Sequence, residues 1–257
     1  MKKEHKKMKT KYFGIIFLLV GIFLAIIMMG TVSSADVTIN DTSTGGLRTA
    51  INGVGIGETI YMENGLYAGT NNRNLTISKN LTIEGKGGNV TINAQGNGRI
   101  FNITSDITVI LKNLNIINGK VSATNVMGGA IYIDNANVKM VDCNFINNSV
   151  TPTSSLYSPS YGYGGAIYTN NGSLTINNCN FTNNSVAATS SNYFAFARGY
   201  GGVIYHNSSI GNLAVNDCNF FNNTITVVSQ ASGGYGGAIY NTGSAGYIIN
   251  LNMRTPI

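Results

Sequence analysis

Few side chains in this 257-residue sequence could do acid–base, nucleophilic or metal chemistry: ten acids, two histidines and three cysteines. The histidines, His5 and His206, stand alone, and no CxxC or Cys/His cluster accompanies Cys143, Cys179 and Cys218, so a zinc site has no ligand set. An odd cysteine count leaves one thiol unpaired. The three read as reduced, buried residues that serve as small apolar groups. Glycoside hydrolysis needs two carboxylates facing each other across a bond, and a calcium site needs several oxygen ligands. Past Phe145 the only acid is Asp217, and in the repeats described below Asp142 and Asp217 fall where another copy has Asn178. Interchange of Asp and Asn points to a turn rather than to proton transfer. No Gly-rich phosphate loop and no GxSxG elbow is present. The expectation is a protein that is not an enzyme and takes no cofactor or metal; a polysaccharide lyase or hydrolase is the disfavoured alternative.

Binding chemistry is better represented. Three segments, residues 151–163, 186–200 and 226–235, combine Tyr, Phe, Ser and Gly. Rigid amphipathic aromatics among small polar residues make contact surfaces, so Tyr157, Tyr161, Tyr193, Phe194 and Phe196 are the candidate ligand-binding residues. Tyr163, Tyr200 and Tyr235 directly precede a Gly-Gly pair and read as structural. His206 is expected at a solvent-facing strand end.

These segments are spaced by a repeat. Gly128-Gly129-Ala130-Ile131-Tyr132 recurs from Gly164 and Gly165 to Ile167 and Tyr168, from Gly201 and Gly202 to Ile204 and Tyr205, and from Gly236 to Tyr240. After the first three copies the columns Val138/Leu174/Leu213, Met140/Ile176/Val215, Cys143/Cys179/Cys218, Phe145/Phe181/Phe220 and Asn148/Asn184/Asn223 align. Apolar residues two apart mark strands, and the Asn/Gly breaks between them mark corners. Three short strands per repeat, with like residues stacked on like, predict a parallel β-helix in which each repeat is one coil. Phe and Ile then form interior ladders, and the asparagines after each Phe form a corner ladder with a structural role. The 151–163, 186–200 and 226–235 segments leave from one corner and are expected to project as long loops from one edge. Residues 36–127 continue the short alternating runs less regularly. Residues 46–52 suit one turn of amphipathic helix capping the first coil. The last repeat ends at Ile257 without a cap, which reads as a truncated solenoid.

Export is written at the amino terminus. Six lysines lie within the first eleven residues, followed by an uncharged apolar run, residues 13–30, and small residues up to Ala35. That is the pattern of a signal peptide cleaved after Ala35, although the run is also long enough for an uncleaved signal-anchor helix. Residues 1–35 are therefore assigned to export, 36–127 to a cap and first coils, and 128–257 to the regular coils. Without its leader the chain carries ten basic and nine acidic side chains, which excludes a basic nucleic-acid-binding face. About ten Asn-x-Ser/Thr sequons, Asn74, Asn80, Asn102, Asn147, Asn183 and Asn222 among them, are compatible with glycosylation outside the cell.

The paired GGAI and FxxN motifs (Gly128–Ile131 with Phe145–Asn148, Gly164–Ile167 with Phe181–Asn184, Gly201–Ile204 with Phe220–Asn223) resemble the polymorphic outer membrane protein repeat; Val203 replaces the alanine in the third copy. The Asn/Thr-rich composition, the export signal and the opening GETIYMENGLY…LTISKNLTIEG resemble the large adhesin-like surface proteins of methanogenic archaea. The resemblance implies an all-β, right-handed parallel β-helix at the cell surface, or secreted, that binds glycans or surface proteins of a host or neighbouring cell. A membrane is a partner only if the amino-terminal segment stays uncleaved. A purely structural envelope protein is the alternative.

Overall fold

A computed structural model describes residues 35–153, 158–190, 196–229, 232–243 and 247–253. The chain divides into two compact units, Met1–Ala35 and Asp36–Ile257. The signal or anchor expected at residues 13–30 lies outside the described residues. No helix among those described is long and apolar enough to cross a membrane.

From Val37 onward the chain winds in parallel register. One column of inward side chains runs Val37, Ile60, Ile83, Leu111, Met140, Ile176 and Val215, each the paired residue of the next coil. A second runs Tyr67, Ile92, Ile116, Phe145, Phe181 and Phe220. A third runs Leu75, Phe101, Ile131, Ile167, Ile204 and Ile239. The residues between them point out, so each turn of chain is a three-sided coil with one apolar interior. Phe145 stacks on Phe181 at 5.0 Å and Phe181 on Phe220 at 4.8 Å, both 15° from parallel. Stacking equal rings at the coil pitch buries them against one another, and each such side chain contributes about 1.5–3 kcal/mol by burial.

The corners explain the asparagine content. Asn113, Asp142, Asn178 and Asp217 occupy one corner with φ of 51–55°, and Asn118, Asn147, Asn183 and Asn222 the next with φ of 52–57°. Asn and Asp are the side chains that tolerate this left-handed conformation, so the Asp142/Asn178/Asp217 interchange is conformational. A further corner uses Gly128, Gly164, Gly201 and Gly236. Asn would not serve there: a Cβ on Gly164 would lie 2.0 Å from the Ile167 carbonyl oxygen. In the first three copies the second glycine is needed for space alone: a Cβ on Gly165, for example, would meet the Gly202 carbonyl oxygen of the next coil at 2.1 Å.

Asn148 and Asn184 are sealed from solvent and bridge the coils. The Asn148 amide donates to the Ile116 carbonyl and to Asn184 Oδ1, and its own Oδ1 accepts from the Gly119 N–H. Asn184 repeats the pattern toward Phe145 and Asn223. At the amino-terminal end, the helix Gly46–Gly53 buries Leu47, Ala50 and Ile51 in the common core. Asn72 Oδ1 accepts the otherwise orphaned Leu47 N–H at 2.9 Å.

The expected long loops are a correction. Strands enter all three segments at their ends. Ser149–Val150, Ser185–Thr189 and Thr224–Val228 continue Lys120–Val121 as one parallel sheet. Ser160–Tyr163, Ala197–Tyr200 and Ser232–Tyr235 continue Asn125–Met127 as another. Each coil therefore carries an outgoing and a returning strand, which we call an arm. Pairing with the same segment one coil away satisfies the backbone groups that an isolated loop would leave to water.

Candidate binding surface

The arms hold together through their own small core. Val126, Val150 and Val186 are buried in a cluster with Val121 and Ile225 packed against it, separate from the coil interior. On the returning strands alternate residues are small. Gly162, Gly199 and Gly234 stand in register, and a Cβ on Gly199 would come within 2.7 Å of Ile225 Cγ2 and 2.9 Å of Val186 Cγ1. The missing side chains let the two arm sheets close on each other.

Period-two alternation then sends the other residues of the returning strands outward. One outward row is Met127, Tyr163, Tyr200 and Tyr235. Across the Gly corner, the coil's own outward row is Tyr132, Tyr168, Tyr205 and Tyr240. The two rows meet in the angle between arm and coil. Within rows the rings stack: Tyr163 on Tyr200 at 5.2 Å, Tyr200 on Tyr235 at 5.0 Å, Tyr132 on Tyr168 and Tyr168 on Tyr205 at 5.3 Å. Between rows they meet edge to face, Tyr163 against Tyr205 at 4.9 Å with 70° between planes. Each such pair contributes about 0.5–1.5 kcal/mol beyond its buried area, so the double row braces the arms at a fixed angle. Burial, with the neighbouring Tyr200, Tyr205 and Tyr161 rings, pushes the Tyr163 hydroxyl up to about 12. Burial raises Tyr168, Tyr205 and Tyr132 as well, so these hydroxyls are neutral at physiological pH.

Of the expected ligand-binding residues, Tyr157, Tyr193 and Phe194 lie outside the described residues. Tyr161 is half-buried on a returning strand, its ring 6.3 Å from Tyr163, and pairs in register with Arg198 of the next coil. Phe196 is 48% exposed just before that strand. Ala197 and Gly199 face the arm core, so Phe196, Arg198, Tyr161 and the outer tyrosine row share the arm's outer face. Arg198 is raised above its ordinary value by its hydrogen bond to Tyr200 and the charge interaction with that ring. Sequence reasoning missed this tyrosine surface, although Tyr recurs at both of its positions in each of the last three copies.

The groups capable of chemistry sit elsewhere. Cys143, Cys179 and Cys218 are free and buried. Cys179 Sγ accepts the Cys143 N–H at 3.3 Å and Cys218 Sγ the Cys179 N–H at 3.4 Å. The side-chain hydrogen bond with Cys143, then burial, push Cys179 up to about 12, against the lowering effect of its bond with Cys218. His206, expected at the surface, is only 1% exposed: it occupies the inward column of Ile133, Thr169 and Asn241, with Nδ1 3.0 Å from Asn241 Oδ1 and Nε2 3.2 Å from the Gly172 carbonyl oxygen. Inside the coil a polar ring is accommodated because both nitrogens find partners. A polar cleft of about 540 Å³ brings Glu84 and Asp142 to one corner, beneath the overhang of Lys86, Gly87 and Gly88. Glu84 is held by Lys112 at 3.3 Å, and Asp142 Oδ1 accepts from Asn178. Among the described residues no three His, Cys, Asp or Glu side chains come together as a metal site.

Residues 142–170 and 217–242 match the model of the Chlamydia polymorphic membrane protein repeat. Each match begins at a left-handed corner, crosses the Cys–Phe–Asn strand and the arm, and ends after the next Gly-Gly strand. No curated protein matches the sequence. Among solved structures, the chain is similar to a pectin methylesterase in complex with a hexasaccharide, at 13% identity over 77% of this chain and 81% of that one, with a TM-score of 0.38. Pectin methylesterase PemA from Erwinia chrysanthemi is similar at 14% identity over 74% and 80%, TM-score 0.37. The Aspergillus niger enzyme is similar at 16% over 82% and 86%, TM-score 0.37. A parallel β-helix carrying polymorphic membrane protein repeats fits a surface protein.

Proposed function

We propose that this chain is an exported cell-surface attachment protein, a right-handed β-helix that holds glycans or surface proteins of neighbouring cells or matrix against its arms. The observation that carries the reading is the arm itself. Every regular coil extends one, at the same edge, on its own valine core, and it turns Tyr161, Phe196 and Arg198 to solvent or half to solvent. A scaffold needs no such extension to close its coil. Aromatics and arginine are the residues that contact surfaces favour. The repeat match and the basic-then-apolar leader support a location outside the cell. Catalysis is not part of the proposal: Asp142 and Asp217 hold left-handed corners, and Glu63 and Glu84 are ion-paired.

The test is binding of the full chain to a glycan array and to intact cells, beside a variant in which residues 151–163, 186–200 and 226–235 are replaced by short turns. Binding that disappears with the arms, in a variant that keeps its β-sheet circular dichroism, is the expected result. Equal binding without the arms overturns the reading in favour of another face.

A further inference from the structure

The tyrosine rows have a property that bracing does not require. Their ring faces are consumed by stacking, but among the described residues the Tyr163 and Tyr168 hydroxyls have no hydrogen-bond partner, and neither is among the fully buried unpartnered oxygens. A brace of phenylalanines would pack equally well. Beside the coil row, two residues further along each strand, lies a parallel polar row: Asn170 donates to Asp134 Oδ1 at 2.8 Å, Asn207 to Asn170 at 3.1 Å, and the Thr242 hydroxyl to Asn207 at 2.9 Å. The floor of the angle between arm and coil thus presents hydroxyls and carboxamides at the coil pitch, with ring centroids 5.3, 5.3 and 5.6 Å apart from Tyr132 to Tyr240.

We propose that this trough is a binding site for a linear, neutral glycan lying parallel to the solenoid axis. The inference rests on the attachment reading and names its ligand class. Three features select that class. Repetition along the axis rewards a polymer whose own groups recur, whereas a small ligand uses a single step. Hydroxyls and amides are offered where ring faces are not, so the ligand is rich in hydrogen-bonding groups rather than aromatic or apolar. The recurring rows are uncharged. Arg99, against the Tyr132 ring at 5.1 Å, Arg198 and Asp134 occur once each, so an ionic polymer finds no repeating counter-charge.

The experiment titrates the full chain with three neutral probes, linear oligomers of β-1,4-linked glucose, N-acetylglucosamine and mannose, with their disaccharides and with a uronic-acid oligomer. Tyrosine fluorescence is the readout, which no tryptophan obscures. The variant Tyr163→Phe/Tyr168→Phe keeps every ring and removes the two hydroxyls that have no partner among the described residues. One neutral oligomer is expected to bind more tightly than its disaccharide and than the uronic-acid oligomer. The Phe variant is expected to melt with the parent and lose at least about tenfold in affinity, since the hydroxyls that meet the ligand are removed. No binding of any neutral oligomer, equal binding by the Phe variant, or preference for the uronic-acid oligomer overturns the proposal. Cell attachment that survives those outcomes leaves the attachment reading standing, so the two fail separately.

Discussion

Removing the Asn184 side chain should cost this protein far more than removing any exposed asparagine. Asn184 Oδ1 accepts from the Asn148 backbone N–H and side-chain amide, both at 3.0 Å, and its amide donates to the Phe145 carbonyl at 2.9 Å and to Asn223 Oδ1 at 3.0 Å. Asn184→Ala deletes all four bonds inside a dry corner. Asn148 keeps a side-chain partner in the Ile116 carbonyl, but the Asn148 N–H and the Phe145 carbonyl lose the Asn184 bonds in a site without solvent. Each buried group left unpaired costs about 1–3 kcal/mol, so the substitution should destabilise by about 2–6 kcal/mol. Asn180→Ala is the matched control. It removes two outer-ladder bonds, to Asn144 and from Asn219, both 2.8 Å, at an exposed position where water replaces them. Its cost should stay under about 1 kcal/mol. Urea unfolding gives the totals, and hydrogen exchange gives the location, because a solenoid loses stability locally at the weakened coil interface. Protection should fall first in Ser149–Val150 and Ser185–Thr189. Equal costs for the two variants would refute the argument that the ladder works by satisfying buried backbone groups.

Other consequences are directly measurable. Gly165→Ala sets a methyl 2.1 Å from a backbone oxygen of the adjacent coil and should destabilise by about 3 kcal/mol or more, whereas Gly237→Ala, with no atom within 4 Å, should be nearly neutral; thermal melts separate them. Tyr67 is fully buried and donates to the Ile39 and Glu63 carbonyls; burial, then the Asp41 and Glu63 charges, raise its hydroxyl from 10.0 to about 12. The unfolded state releases this proton first, so stability is complete below about pH 10 and falls by up to about 2.7 kcal/mol as pH rises to about 12. Tyr67→Phe should remove that portion of the alkaline slope. Cys143, Cys179 and Cys218 should react with a thiol reagent at neutral pH only when the chain opens, at rates that follow denaturant concentration; rapid native labelling of all three would contradict their burial.

The coil was legible because its signals are local and repeated. Gly-Gly, the alternating apolar pairs and the Asn corners each recur at equivalent places, and the pairing of Met140 with Ile176 and Phe145 with Phe181 follows the alignment of the repeats. The helix over Gly46–Gly53 was visible for the same reason, as Leu47, Ala50 and Ile51 share one face. The arms were missed because their composition is that of loops. Ser160-Tyr-Gly-Tyr and Ala197-Arg-Gly-Tyr have weak strand propensity and become strands only through the neighbouring coil's identical segment, a tertiary effect. Their alternation of small and large residues was the available signal. His206 was misplaced because a polar ring was assigned to solvent by type, whereas its column partners Thr169 and Ile133 fix it inward. The tyrosine trough was illegible because it needs the angle between arm and coil, which no single repeat encodes.

The most direct test of the central claim is attachment of the full chain to intact cells, measured beside the variant Tyr161→Ala/Phe196→Ala/Arg198→Ala. These three side chains lie on the arm's outer face and none belongs to either hydrophobic core, so the variant should fold. Attachment by the parent and its loss in the variant is the predicted result. A parent that attaches to no cell, or a variant that attaches as well as the parent, would contradict the account.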